Sequence, residues 1–360
     1  MPDVDLSHLN MAEWPFSVVP PAGPTGVWVG REDAQRRMRA LIRSTGRVGV
    51  SQFLLLWADF GAGKTHALRY LEFLARENSH LAPLYVVTPR GVRTFVDLYR
   101  AIIDAMHEAG LLQTIGQDIF DRTLKVGVES DLERALIRIP TYNQETAKMA
   151  LALLRADRVP AAELRELGVS RRLETAADAV NALDQLLGLV RREDRHMLLL
   201  LDEMQELADL GRRLPEAVGG LHKVFDRNRE GLTMVCSFTT GSQQAVQGIV
   251  GDALFDRASV ALTLPALDQE AGVELAVGLL RAHSLEPDRC PFPFEPEAVI
   301  ALVAETAKRT AVLSPRRVIK AFDCVLRVAE LDIEDGVIDA VDAAYARAAY
   351  LQASPDEEPI

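Results

Sequence analysis

Five short apolar runs punctuate the chain, near residues 52–57, 84–88, 197–201, 233–238 and 260–264. Those at 53–57 (FLLLW) and 197–201 (MLLLL) are continuous instead of alternating with polar residues. Such runs predict strands buried on both faces, as in a parallel sheet whose crossovers cover both sides. Between them the pattern becomes helical. After THALRYLEFLA, with Leu68, Leu71 and Ala75 on one face, come the helical segments ESDLERALIRI, QETAKMALALLRA, PAAELRELGV and TAADAVNALDQLLGLVRR. The second and third runs are separated by 108 residues (89–196), about three times what one crossover requires. The excess, about 111–183, reads as a helical insertion. Beyond the last run, segments 271–283, 295–309, 314–331 and 336–352 all carry helical periodicity. A Pro-rich turn, PDRCPFPFEP (287–296), interrupts them, and SPDEEPI closes the chain as an acidic segment predicted to be disordered. No repeat of 20–50 residues is visible.

The chemistry sits where the patterns change. The first strand run passes into ADFGAGKT (58–65) and then into a helix. Strand, small-residue loop and helix are the context in which backbone amides cradle phosphate. Gly61 and Gly63 allow the turn, and Ala62 keeps it small. Lys64 is placed to reach the β- and γ-phosphates, Thr65 to offer its hydroxyl to Mg²⁺, and His66 follows in the first helical turn. The strict pattern begins with glycine, where this chain has Ala58, the mildest replacement. The third run ends in Asp202-Glu203. Acids at the carboxyl end of a parallel strand lie where open α/β sheets bind ligands. Asp202 is the candidate for the Mg²⁺ shell and Glu203 for the general base that activates water. A water-activating acid favours ATP hydrolysis over transfer to a substrate hydroxyl.

Composition narrows the partners. With 48% apolar residues and 26% charged ones the chain reads as globular, and no apolar run approaches the ~20 residues of a membrane helix. The N-terminus lacks the basic-then-apolar pattern of a signal peptide. Three scattered cysteines, Cys236, Cys290 and Cys324, form neither a metal spacing nor a disulfide framework and suit a reducing cytoplasm. A net charge of −12 opposes bulk attraction to nucleic acid or anionic lipid. The one basic stretch, 31–47 with Arg31, Arg36, Arg37, Arg39, Arg43 and Arg47, reads as a solvated helix face diluted by Glu32 and Asp33.

These landmarks occur in an order that resembles the AAA+ P-loop ATPases of the origin-recognition clade, from about residue 24 to residue 330. The resemblance implies an α/β; P-loop NTPase fold with a parallel central sheet, the loop strand in its middle, a helical insertion and a C-terminal all-α lid. It divides the chain into an N-terminal arm (1–19), an α/β nucleotide-binding domain (20–266), a helical lid (267–350) and a tail (351–360). In PTGVWVGRED (24–33) it places Val29 and Gly30 against adenine. GLTMVCSFTTGSQQ (231–244) resembles the first sensor strand, with Thr240 fitting best and Thr239 as the fallback. DALFDRASVALTLPAL (252–267) sets Arg257 as an arginine finger acting in a neighbouring subunit. LSPRRVIKAFDCVL (313–326) sets Arg316, beside Arg317, as the second sensor. ELRELGVSRRLET together with the later landmarks resembles the ATP-binding proteins of BREX-type phage defence. ATP and Mg²⁺ are the implied cofactors, and a homo-oligomer, an unidentified partner protein and DNA contact through the assembly are the implied partners. Fewer than thirty residues follow Leu331, too few for the winged-helix module that origin-recognition relatives often carry. The competing expectation is an ATP-bound adaptor that docks a partner through the helical insertion; a phosphotransferase fits the acid pair poorly.

Overall fold

The computed structural model describes residues 5–48, 51–128, 130–141 and 143–353 of the chain. They form two compact units. The larger, residues 37–57 and 71–263, is built on a five-stranded parallel sheet. In chain order the elements are α1 (Glu32–Val48), β1 (Phe53–Ala58), α2 (Lys64–Arg76), β2 (Leu81–Val87), α3 (Phe95–Glu108), α4 (Leu111–Val126), α5 (Asp131–Leu136), α6 (Gln144–Leu154), α7 (Ala161–Leu167), α8 (Ala176–Arg192), β3 (His196–Asp202), α9 (Leu214–Arg227), β4 (Leu232–Thr239), α10 (Gln243–Phe255) and β5 (Val260–Thr263). The strands lie in the order β2-β3-β4-β1-β5, so β1 is interior but one place from the edge, not in the middle. Lateral order depends on how the crossovers swing, which hydrophobic periodicity does not encode.

Register pins the sheet. Leu199 pairs with Leu84 on one side and Met234 on the other, and Leu54 pairs with Val260. Leu198–Leu201 are at most 2% exposed, and burying each leucine side chain contributes about 1.5–3 kcal/mol. Capping boxes at Thr94/Asp97 and Thr175/Asp178 fix where α3 and α8 begin.

Helices α4 to α7 make up the insertion expected at 111–183. Their apolar faces do not stand apart. Ile115, Leu132, Leu136, Leu154 and Leu167 join the same hydrophobic core as Leu199 and Phe225. Gly116 permits the closest approach, since a Cβ there would lie 2.3 Å from the Leu136 carbonyl oxygen. The Tyr99 hydroxyl donates to the Leu154 carbonyl (2.6 Å), and the buried Glu133 is held by Arg122 (2.8 Å) and Arg192 (3.5 Å).

The other unit comprises the described parts of residues 1–36, 58–70 and 264–360. Its core is formed by α11 (Gln269–Ala282), α12 (Pro296–Lys308), α13 (Pro315–Glu334) and α14 (Ala343–Ala353). The last helix starts seven residues later than its periodicity suggests. Residues 335–340 instead turn back on the end of α13, with the Val337 and Ile338 amides donating to the Asp332 carbonyl, and Val341 forms a parallel bridge with Phe294. The predicted tail overlaps α14 at residues 351–353, and its remainder lies outside the described residues. The N-terminal arm is part of this core: Leu9, Met11 and Phe16 are at most 2% exposed. Phe16 lies 5.2 Å from the Phe322 ring and 6.5 Å from Phe294. Trp14 donates its indole N–H to Asp323 (2.7 Å), and Asn10 bridges to Ser284 and the Glu286 backbone. No helix among the described residues is long and apolar enough to cross a membrane.

Two outcomes test this packing. Phe16→Ala should destabilise the protein by about 3–5 kcal/mol in a denaturant titration, while Val19→Ala, at a 73% exposed position, should stay within about 0.5 kcal/mol. The second concerns His196, whose imidazole burial pushes down to about 4. The unfolded chain takes up a proton near 6.5 and the folded one does not until about 4. Stability from this residue is therefore complete above about pH 6.5 and declines as pH falls toward 4, by on the order of 2 kcal/mol. His196→Gln should flatten that part of the stability–pH curve.

Candidate functional site

The loop 59–63 has the backbone its glycines permit. Gly61 and Gly63 take φ values of 77° and 96°, in the left-handed region that other residues enter only with strain. Lys64 opens α2, is 6% exposed, and turns its ammonium back on the loop, donating to the carbonyls of Ala58 and Asp59 at 3.0 Å each. Ala62 is buried and Thr65 half-buried. Neither Asp59 nor Phe60 is buried; Phe60 is 71% exposed.

In the same unit, α13 begins against this loop. The Arg316 amide donates to the Gly61 carbonyl (3.3 Å), and its guanidinium lies 4.7 Å from the centroid of the Phe60 ring. Ser314 caps the helix by accepting from the Arg317 amide. Gly61 is required twice over, because a Cβ there would lie 3.0 Å from Arg316 Cβ and 3.3 Å from Ser314 Oγ. The structure thus brings Arg316 to the loop and gives Arg317 no such contact.

Val29 and Gly30 lie in a segment bound to the same helix. The His66 ring donates its Nε2–H to the Val27 carbonyl (2.5 Å), and burial pushes its pKa down, which favours the neutral ring. The Thr25 amide donates to the Arg69 carbonyl, and the Trp28 ring lies 5.2 Å from that of Tyr70, tilted by 55°. Gln35 caps the turn by donating to the carbonyls of Trp28 and Gly30. Val29 packs against α11, where any side chain larger than that of Gly278 would collide with it at 2.2 Å. His66 is thus a tether for this segment.

Arg31 departs from the sequence reading. Arg36, Arg37, Arg39 and Arg43 are exposed, as a solvated face requires; the Arg47 side chain lies outside those described. Arg31, however, precedes the helix with φ of 64° and is half-buried. Its Nη2 is buried with no hydrogen-bond partner, and desolvation pushes its pKa down. A buried cation without an acid beside it is an unmet demand for an anion. The signal in the sequence was Gly30 directly before it, a turn that removes Arg31 from the helix face.

In the sheet unit, β3 ends at Asp202, which is 1% exposed. Its carboxylate accepts from the hydroxyls of Tyr85 (2.7 Å) and Ser237 and from the Glu203 amide (3.0 Å). Glu203 itself adopts φ 58°, ψ 36°, the left-handed region that is costly for a residue with a side chain. Its Oε2 accepts from the Gln205 amide and from the Thr239 hydroxyl (3.4 Å). Thr240, the preferred sensor candidate, instead uses its hydroxyl to accept from the Ser242 amide (3.4 Å). The structure brings Thr239, the fallback, to the acid. Arg257 is exposed and paired with Asp226 on α9 (3.1 Å); His222 reaches the other oxygen of that carboxylate, also at 3.1 Å.

These residues fit the implied ligands. Two left-handed glycines and a lysine at a helix start suit polyphosphate, and the buried Nη2 of the half-buried Arg31 suits an anion. No group of three or more His, Cys, Asp or Glu side chains that could hold a metal by itself occurs among the described residues. In the sheet unit, the oriented Asp202 carboxylate is of the kind that suits Mg²⁺, which keeps waters and substrate oxygens in its shell.

The parallel sheet, its helices and the helical C-terminal region define the AAA+ P-loop NTPase fold of the ORC/Cdc6 type. Among solved structures the chain is similar to the ORC2 protein of Aeropyrum pernix in its ADPNP-ADP complexes, with a TM-score of 0.59 and 14% identity over 94% of this chain and 71% of that one. It is similar also to Cdc6p of Pyrobaculum aerophilum, with a TM-score of 0.52 and 14% identity over 93% and 70%. The ORC1 protein of Aeropyrum pernix in complex with DNA gives 0.50 and 16% over 96% and 71%. No protein-family profile and no curated protein matches the chain.

Gly61→Ala should cost about 1–3 kcal/mol from backbone strain alone. The amides at the start of α13 should then lose protection in hydrogen exchange.

Proposed function

We propose that this protein is a Mg²⁺-dependent ATPase that works as a switch or motor in an oligomeric assembly. The observation that carries the reading is the loop 59–63, with its two left-handed glycines, Lys64 at the helix start and Arg316 at its tip. The ORC2 neighbour's ADPNP-ADP complexes support a nucleotide ligand for this fold. Domain 20–266 binds nucleotide and 267–350 acts as the lid.

In this reading the loop amides and Lys64 hold the phosphates, Val29 and Gly30 face the base, and Arg31 satisfies its buried guanidinium on the nucleotide. Thr65 and Asp202 would hold Mg²⁺, which would supply charge neutralisation to the phosphates. Tyr85 and Ser237 fix the Asp202 carboxylate by hydrogen bonds. Glu203 takes a proton from water as the water oxygen bonds to the γ-phosphorus. The bond from that phosphorus to the bridging oxygen breaks, leaving ADP and phosphate. Thr239, or Thr240 after rotation, orients the water. Arg316 senses the γ-phosphate. Arg257 exchanges Asp226 for a neighbour's nucleotide, so turnover requires self-assembly, and an operating finger is worth roughly 10³–10⁵ in rate.

Two further parts of the proposal rest on resemblance. The likeness to BREX-type proteins suggests a role in phage defence beside a partner protein, and the DNA-bound ORC1 neighbour suggests DNA contact by the assembly. The first is tested by phage plating on cells with and without the gene, the second by DNA-stimulated turnover.

ATP turnover per subunit should rise with protein concentration. Glu203→Gln should lower it at least a hundredfold with nucleotide still bound. Lys64→Ala should abolish binding, and Arg257→Ala should remove the concentration dependence. Binding without turnover under all these conditions would make the protein an ATP-bound adaptor instead.

A further inference from the structure

Glu203 is held by a side chain that no sequence motif singles out. Gln205 sits two residues on, in the 3-10 turn Met204–Arg213. Its amide oxygen accepts from the Thr239 N–H at the end of β4 (2.8 Å), and its amide nitrogen donates to Glu203 Oε2. A primary amide has distinct donor and acceptor ends. With its oxygen committed to a backbone N–H, its nitrogen must face the acid. Thr239 adds a second donor to the same oxygen, through its hydroxyl (3.4 Å). One carboxylate oxygen is therefore occupied twice, while Oε1 has no hydrogen-bond partner among the described residues.

The backbone explains why such a brace is needed. Glu203 lies in the left-handed region, which a residue with a Cβ occupies only when its surroundings enforce it. An acid on a strained turn after a strand would otherwise sample several rotamers, and most would not present the same oxygen outward.

We propose that Gln205 is a positioning residue: its amide bridges the end of β4 to Glu203 Oε2 and leaves Oε1 as the oxygen that accepts the proton of the attacking water. The inference rests on the reading of Glu203 as general base. It also makes the end of β4 and the base one mechanical unit, so a shift of Thr239 moves the acid.

The test compares Gln205→Leu, Gln205→Glu and Glu203→Gln in the full chain. It measures kcat and KM for ATP at a fixed high protein concentration, melting temperature, and hydrogen exchange at the Thr239 amide. Gln205→Leu should lower kcat about tenfold, with KM within twofold and the melting temperature nearly unchanged, and should speed Thr239 exchange. Gln205→Glu should lower kcat further, because a carboxylate cannot donate and repels Glu203. Wild-type kcat in Gln205→Leu beside an inactive Glu203→Gln would overturn the positioning role. So would a fall in kcat that tracks KM and melting temperature, which marks a merely structural residue. Normal turnover by Glu203→Gln would instead overturn the general-base reading itself, whatever the Gln205 variants do.

Discussion

Parallel pairing is the constraint on which the sheet unit depends. A parallel strand cannot return through a tight turn, so each pairing demands a crossover long enough for a helix. Those helices cover both faces of the sheet, and the strands must then be apolar throughout, as Met197–Leu201 are. Crossovers also bring every strand in from the same side. Their carboxyl ends therefore collect at one edge, where β3 leaves Asp202 and Glu203 and β4 leaves Thr239. The strand-end acids and Thr239 lie at that edge because the central strands β3 and β4 are buried along almost their whole length.

The same economy shapes the insertion. Four extra helices could have formed a separate body, but their leucines and isoleucines join the hydrophobic core that backs β2 and β3. Few of their large apolar side chains remain exposed; Phe120, at 47%, is the main one. An adaptor reading needs a spare apolar face on these helices, and the packing has used most of it. The N-terminal arm is similar. Set apart as an arm by the sequence, it supplies Phe16 to the helical core and Trp14 to Asp323.

Within the loop's unit, three short-range devices converge on residues 58–66. Lys64 folds back on the loop carbonyls, Arg316 lies on Phe60 and donates to Gly61, and His66 tethers Val27. Each alone is worth about 1 kcal/mol. Their value is positional: they set where Lys64 and Arg316 stand around one turn of backbone and hold the Val27 segment to the helix that follows it.

Much of this was legible before the structure. Buried strands announce themselves as unbroken apolar runs, and Gly61, Gly63, Lys64 and Thr65 are contiguous, so their grouping is local and survives in one dimension. Asp202 and Glu203 were readable because they end such a run. Gln205 and the burial of Arg31 were not, and Thr239 stood only as the fallback to Thr240. Thr239 differs from Thr240 only by which way a strand end faces, and a shift of one residue reverses that. Gln205 acquires meaning from an N–H thirty-four residues away. Arg31 resembles five other arginines until packing buries it. Likewise β1's place near the edge follows from partners distant in sequence. Sequence alone determined the elements and the contiguous loop, because periodicity and steric freedom act over a few residues. Tertiary structure alone decided which side chains meet, because burial and hydrogen bonding are settled by neighbours that the chain brings together only on folding.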